Sequence, residues 1–301
     1  MSHRPLSPLP RPLRAVTFDC WRTLLVERDW SVAHALRVDA LALAAKRAGR
    51  ESDRAELSGV FDAAWNRHIA RWTRGIASGA AEVARDALEI LGLSEEDAGF
   101  ASLVTSWEEA SHSGAVEAVD GSLAHLEFLS RAGVRLGVIC DTGLTPGRVV
   151  RHLLQGAGLL TYFDVCVFSD EVGVPKPHQR IFHAALDALA VDASHGVHVG
   201  DLLRTDVAGA RGVGMASIRI RAAYDDPSEQ PEGISSPTRT PSCRGSSNAH
   251  SADPRIRELG DYLLWAVTVL NAGRRALAFI GGLRYRTAAR STRTGLAPSQ
   301  R

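Results

Sequence analysis

Residues 135–155 decide the fold. Arg135-Leu136-Gly137-Val138-Ile139-Cys140 is an apolar run of strand length, Asp141-Thr142-Gly143 interrupts it, and 146–155 reads as a helix. A continuous apolar strand, rather than an alternating one, is covered on both faces. The same rhythm repeats on either side. A helix at 123–131 precedes the run; strands at 165–168, 197–199 and 217–220 follow it, with helices at 179–189 and 206–212 between them. Strand–helix alternation of this kind predicts a parallel sheet with helices on both sides. A further buried strand, Ala15-Val16-Thr17-Phe18, stands near the start. After it the text turns helical: Ser31 caps a helix running to Lys46, and 52–73, 80–91 and 94–113 are helical, divided by Gly75, Gly79, Gly92 and Leu93, with no strand pattern in the block. The expected architecture is α/β, a doubly wound parallel sheet with a helical domain inserted after the first strand.

Composition fits this reading. With 45% hydrophobic and 23% charged residues in 301, the chain is neither disordered throughout, collagen-like nor a disulfide scaffold. Cys20, Cys140, Cys166 and Cys243 show no C-x-x-C spacing and suit a reducing, cytoplasmic setting. The net charge of +1 averages two arginine-rich ends and an acidic body, which argues against nucleic acid as a partner. The expected division is a flexible leader at 1–13, an α/β core at 14–28 and 120–224, a helical cap at 29–119, a disordered insertion at 225–254, a helix at 255–272 and a basic flexible tail at 273–301. The apolar stretch 262–283 holds Arg274 and Arg275 at its middle and reads as a core helix and tail, not a membrane span. Nothing in the sequence fixes the oligomeric state.

Four polar clusters fall at expected strand ends, where open parallel sheets keep their active crevice. Asp19 directly follows the first strand, placed to act as a nucleophile or a metal ligand, or to form a turn. Asp141-Thr142-Gly143 offers small polar groups to an oxyanion. Lys46 and Lys176 are the only lysines, and Lys176 lies between Pro175 and Pro177, where an ammonium would offset neighbouring negative charge. Asp201 and Asp206 supply hard oxygen donors suited to a divalent cation, with a helix-capping role also open to Asp206.

Taken together, the order and spacing of Phe18-Asp19 to Thr23-Leu24, of Cys140-Asp141-Thr142, of Gly173 to Lys176-Pro177, and of Gly200-Asp201 to Asp206 and Gly209-Ala210 resemble the haloacid dehalogenase-like hydrolase superfamily over 15–220. The resemblance implies a Rossmann-like core with a helical cap, and a magnesium-dependent phosphatase acting on a small phosphorylated metabolite. It implies Asp19 as the nucleophile that forms an aspartyl intermediate, and Lys176 as the charge stabiliser. Thr142, Asp141 and Thr23 would contact the phosphate; Asp19, Asp201, Asp206 and the Trp21 backbone carbonyl would hold Mg2+.

The chain departs from the family pattern at four positions. Trp21 stands where most of its phosphatases carry a second aspartate, Arg22 where glycine is usual, and Cys140-Asp141 where Ser or Thr precedes Asn. An indole cannot transfer a proton, and general acid–base help is worth roughly 10²–10⁴-fold. A dehalogenase-type hydrolase, whose halide leaving group needs no proton, and a non-catalytic ligand-binding member are the alternatives. Trp30, Trp65, Trp72 and Trp107 are expected to pack the cap helices, with a role for Trp72, Arg71 and Arg74 at a substrate entrance as the competing reading.

Overall fold

The computed structural model describes residues 12–220. The expectations for 225–254, 255–272 and 273–301, and most of the leader, lie outside these residues. In chain order the elements are β1 (Ala15–Phe18), β2 (Leu25–Glu27), α1 (Ser31–Arg47), α2 (Arg54–Thr73), α3 (Ala80–Leu91), α4 (Glu95–Ala98), α5 (Phe100–Glu109), β3 (Val116–Ala118), α6 (Ser122–Arg131), β4 (Arg135–Cys140), α7 (Gly147–Gly156), β5 (Val165–Phe168), α8 (Ser169–Val172), α9 (Gln179–Leu189), β6 (Gly196–Gly200), α10 (Ala208–Gly212) and β7 (Ala216–Arg219).

Five strands form a parallel sheet in the order β5-β4-β1-β6-β7. β1 is central, with Phe18 opposite Val138 of β4 and Val199 of β6. The chain leaves β1 toward one side for β4 and β5 and toward the other for β6 and β7, so the switch point opens beside the end of β1. Successive side chains feed opposite faces: Val138 joins the apolar cluster under α6 and α7, and Ile139 joins Ile181, Phe182 and Ala185 of α9. The helices α1–α5 enclose a cluster of their own around Leu41, Phe61, Leu88 and Trp107. No helix among the described residues is long and apolar enough to cross a membrane.

Differences from the sequence reading are local. Trp30, not Ser31, stands at the N-cap of α1, and Asp29 takes the capping role by accepting from the Ser31 amide at 2.8 Å. The stretch 94–113 is not one helix, because Gly99 adopts φ +68 and splits it. The block expected to lack strands contributes β3, which pairs antiparallel with β2 to form the two-stranded ribbon joining cap to core. Three-residue strands are too short to show a period of two.

Candidate active site

The ends of β1, β4 and β6 place Asp19, Asp141 and Asp201 around one crevice. Asp19 continues the ladder by donating its amide to Val199 O at 2.8 Å. The loop behind it closes tightly, with the Leu24 and Leu25 amides both donating to Cys20 O. Arg22 takes φ +63, a conformation an L-residue adopts at a cost of about 1–2 kcal/mol, so this turn favours the glycine usual there. Its guanidinium helps to hold Asp201 ionised.

Lys176 is 2% exposed, and its Nζ donates to Asp19 Oδ1 at 2.5 Å and to Asp206 Oδ1 at 2.7 Å. The loop is fastened by the Lys176 amide, which donates to Asp141 Oδ1 at 2.8 Å, and the Lys176–Pro177 bond is cis. Asp206 sits in a π-type turn at Leu203–Val207 instead of capping a helix, and its Oδ2 accepts from the Leu202 amide. A Cβ on Gly200 would lie 2.3 Å from Asp206 Cγ, so only glycine lets this carboxylate pack against the strand end. Behind it, His198 bridges Asp206 Oδ1 at 3.1 Å and Thr17 Oγ1 at 2.9 Å. This buried relay had no visible sequence signal, since His198 reads as one more residue of an apolar strand.

Carboxylate oxygens of Asp19, Asp201 and Asp206 come within 4.8 Å of one another. One ammonium cannot compensate all three. Burial pushes Asp19 up to about 8 against the pull of Lys176, and burial with the Asp206 charge pushes Asp201 up to about 6. Burial also works against Asp206, but Lys176 and His198 outweigh it and hold that carboxyl well below its usual range. Lys176 in turn is raised: burial opposes its charge, and Asp19, Asp206 and Asp141 overcome burial. Two under-compensated hard oxygen donors beside a third form a set that a divalent cation fits.

The expected phosphate contacts fare unevenly. Thr142 lines the crevice, but its hydroxyl donates to Asp170 Oδ1 at 3.0 Å and pairs with Ser169 Oγ at 2.9 Å, while its amide donates to Ser169 Oγ. Its hydroxyl is thus held by Ser169 and Asp170 at the edge of the crevice. Asp141 accepts from Lys176 and from Trp72 Nε1, at 2.8 Å in each case, so it is a tie between loop and cap. Thr23 is 3% exposed, its Oγ1 has no partner, and it is not among the cavity-lining residues.

Above the carboxylates lies a cavity of about 650 Å3 whose cap side is formed by Trp30, Trp65, His68, Ile69 and Trp72, with Trp21 on the core side. The packing role expected of four cap tryptophans holds fully for Trp107, which is wholly buried. Arg71 faces away and pairs with Asp86, so it is no anion clamp at the entrance. His68 stacks on Trp65 and shares a hydrogen bond with Ser78 Oγ, and burial together with Arg71 lowers its pKa to about 4. Because the unfolded value is higher, near 6.5, stability should fall as pH drops from about 6.5 to about 4, by up to roughly 3 kcal/mol. His68→Gln should flatten that part of the curve, as read by thermal melts at pH 7 and pH 4.5; an unchanged slope would exclude His68 as its source.

A parallel sheet carrying a carboxylate at its central strand end, a lysine bound to it, further carboxylates opposite and a helical cap above defines a capped α/β hydrolase-type core. Residues 13–214 match the family model of the haloacid dehalogenase-like hydrolases, and the chain belongs to that family. It is 36% identical over 104 residues to haloacid dehalogenase-like hydrolase domain-containing protein 3 of Bos taurus, covering 35% of this chain and 40% of that protein. It is 39% identical over 111 residues to pyrimidine 5'-nucleotidase YjjG of Escherichia coli (strain K12), covering 36% and 46%. It is 38% identical over 100 residues to glyceraldehyde 3-phosphate phosphatase of Pyrococcus abyssi (strain GE5 / Orsay), covering 33% and 41%. The chain thus spans less than half the length of these curated relatives. Among solved structures, a HAD phosphatase from Thermococcus onnurineus shares the fold at 24% identity and a TM-score of 0.51, covering 73% of this chain and 91% of that one. The 2-haloacid dehalogenase from Pseudomonas syringae pv. Tomato DC3000 has 25% identity, a TM-score of 0.51, and coverage of 70% and 87%.

Proposed function

We propose that this protein is a cytoplasmic, magnesium-dependent phosphatase that takes the phosphoryl group of a small metabolite onto Asp19. The observation that carries this reading is Asp19 itself, buried at the central strand end, bound to Lys176 and within 4.8 Å of two further carboxylates. Lys176 engages Oδ1, which leaves Oδ2 to attack phosphorus; the ester P–O bond breaks, and the alkoxide departs with its electron pair. Water then attacks the aspartyl-phosphate, restoring the carboxylate and releasing phosphate. Lys176 balances charge on Asp19 and the transferred group, and Asp206, itself held by His198, keeps its ammonium in place. Asp19, Asp201 and the Trp21 carbonyl, with Asp206 beside them, would hold the magnesium ion, which when bound neutralises the carboxylates and polarises the phosphoryl oxygens. Trp21 lends no proton, so the departing alkoxide draws one from water.

Phosphate release from a panel of phosphomonoesters, with magnesium and with chelator, tests the reading. Release that requires the metal supports it; no release from any ester, or release indifferent to chelator, overturns it. Binding has its own readout. Magnesium at a hundred times its Kd should stabilise the fold by about 2.7 kcal/mol, seen as a rise in thermal midpoint that chelator reverses and Asp201→Asn abolishes. Trp21 supports one other reading, a 2-haloacid hydrolase, because halide leaves without a proton. Halide release that persists with chelator would favour it.

A further inference from the structure

Helix α2 divides its apolar residues between two faces. Leu57, Val60, Phe61 and Ala64 are buried in the cap core. Trp65, Ile69 and Trp72, spaced i, i+4 and i+7, form a second stripe that faces the cavity over Asp19. Trp30 joins the stripe with its ring 6.3 Å from that of Trp65 and is 41% exposed. These rings are held in place. Trp65 lies on His68 at 4.6 Å and an interplanar angle of 23°. Trp72 is tied at its edge to Asp141 and on its face to Arg204, whose guanidinium carbon is 4.1 Å from the ring centroid. Trp107 is wholly buried, whereas Trp65 packs against the cap core on one side and lines the cavity on the other, and Trp30 and Trp72 also line the cavity. His68 and Arg204 already cover one face each of Trp65 and Trp72, and a small sugar or triose unit would leave the indole surface toward the cavity wet, whereas a flat ring would cover it.

We infer that the cavity takes a phosphate ester whose alcohol part carries an aromatic or heteroaromatic ring, seated against Trp30, Trp65 and Trp72 with its phosphate on Asp19. Binding pockets of comparable volume enclose ligands of this size. The inference rests on the phosphatase reading for the position of the phosphate, but ring recognition can be measured without turnover.

Phenylmethyl phosphate and cyclohexylmethyl phosphate have similar bulk and similarly poor alkoxide leaving groups, and differ in aromaticity. Stacking on a fixed indole favours the aromatic ring, so kcat/KM is expected to be tenfold or more higher for phenylmethyl phosphate. Trp65→Leu should reduce that ratio to about threefold or less. Equal kcat/KM values in the wild type, or a ratio that survives Trp65→Leu, would overturn the inference. The second arm is calorimetric binding of phenylmethylphosphonate and cyclohexylmethylphosphonate, neither of which is hydrolysed. Tenfold tighter binding of the phenyl compound by a protein that hydrolyses no ester would refute the phosphatase reading and support the aromatic site. Equal binding in a protein that does hydrolyse esters would do the reverse.

Discussion

Asp19→Asn is expected to lower phosphate release by at least about 10⁴-fold, equivalent to roughly 5.5 kcal/mol of transition-state stabilisation, while the protein stays folded. The amide keeps an oxygen for Lys176 and the shape of the side chain but cannot form an acyl phosphate. Folding should even improve when no metal is present. The wild-type carboxyl is buried and titrates near 8, far above its ordinary value of 3.8. A group raised in this way contributes stability that is fully present below pH 3.8 and is lost progressively as pH climbs from there to about 8. Asn carries no such charge at any pH. The thermal midpoint of Asp19→Asn in chelator should therefore exceed that of the wild type at pH 8.5 and approach it at pH 5. Magnesium should close or reverse the gap, because it stabilises the wild-type site more. Retained activity would remove Asp19 as the nucleophile, and a lower midpoint at pH 8.5 would show that its charge is satisfied by something besides Lys176.

Strand ends were the most legible feature of this chain. Ala15–Phe18, Arg135–Cys140 and Val165–Phe168 coincide with the observed strands because each is an apolar run too short for a helix and rich in β-branched or aromatic residues. Helices α3 and α9 were legible for the complementary reason, a clear apolar stripe bounded by a glycine or a turn. The ribbon of β2 and β3 was not, because its pairing joins residues about ninety positions apart and each strand has only three. Nor was the break at Gly99, since an isolated glycine inside a helical pattern is tolerated and need not end it.

The site was legible as positions but not as partnerships. Asp19, Lys176, Asp201 and Asp206 do converge, and the scarcity of lysine made Lys176 conspicuous. The sequence could not show that Thr142 is engaged by Ser169 and Asp170, or that Asp141 ties Lys176 to Trp72, because those contacts join three loops and the cap. His198 escaped notice for a related reason. Its ring is useful only because Gly200 lets Asp206 fold back against the same strand.

Trp21→Asp is expected to raise turnover of esters with poor leaving groups by about 10²–10⁴-fold, the usual worth of a positioned general acid and base. The side chain at 21 lines the cavity next to Asp19, so a carboxyl there can protonate the departing alkoxide and later deprotonate the attacking water. The backbone carbonyl is unchanged, which leaves the implied metal contact in place. Two costs accompany the gain. Trp21 packs against the core cluster and its loss removes apolar contact, and a further carboxylate joins a site already lined by Asp19, Asp141, Asp201 and Asp206, with Arg22 next in sequence to offset it. The diagnostic is the dependence on leaving-group acidity. In the wild type, rates should fall steeply as the alcohol becomes less acidic, because the alkoxide leaves unassisted; in Trp21→Asp that dependence should become shallow. Trp21→Asn supplies the same space and polarity without a transferable proton. An equal gain in both variants would assign the effect to room in the cavity, and no gain in either would mean that another group in the wild-type site already delivers the proton.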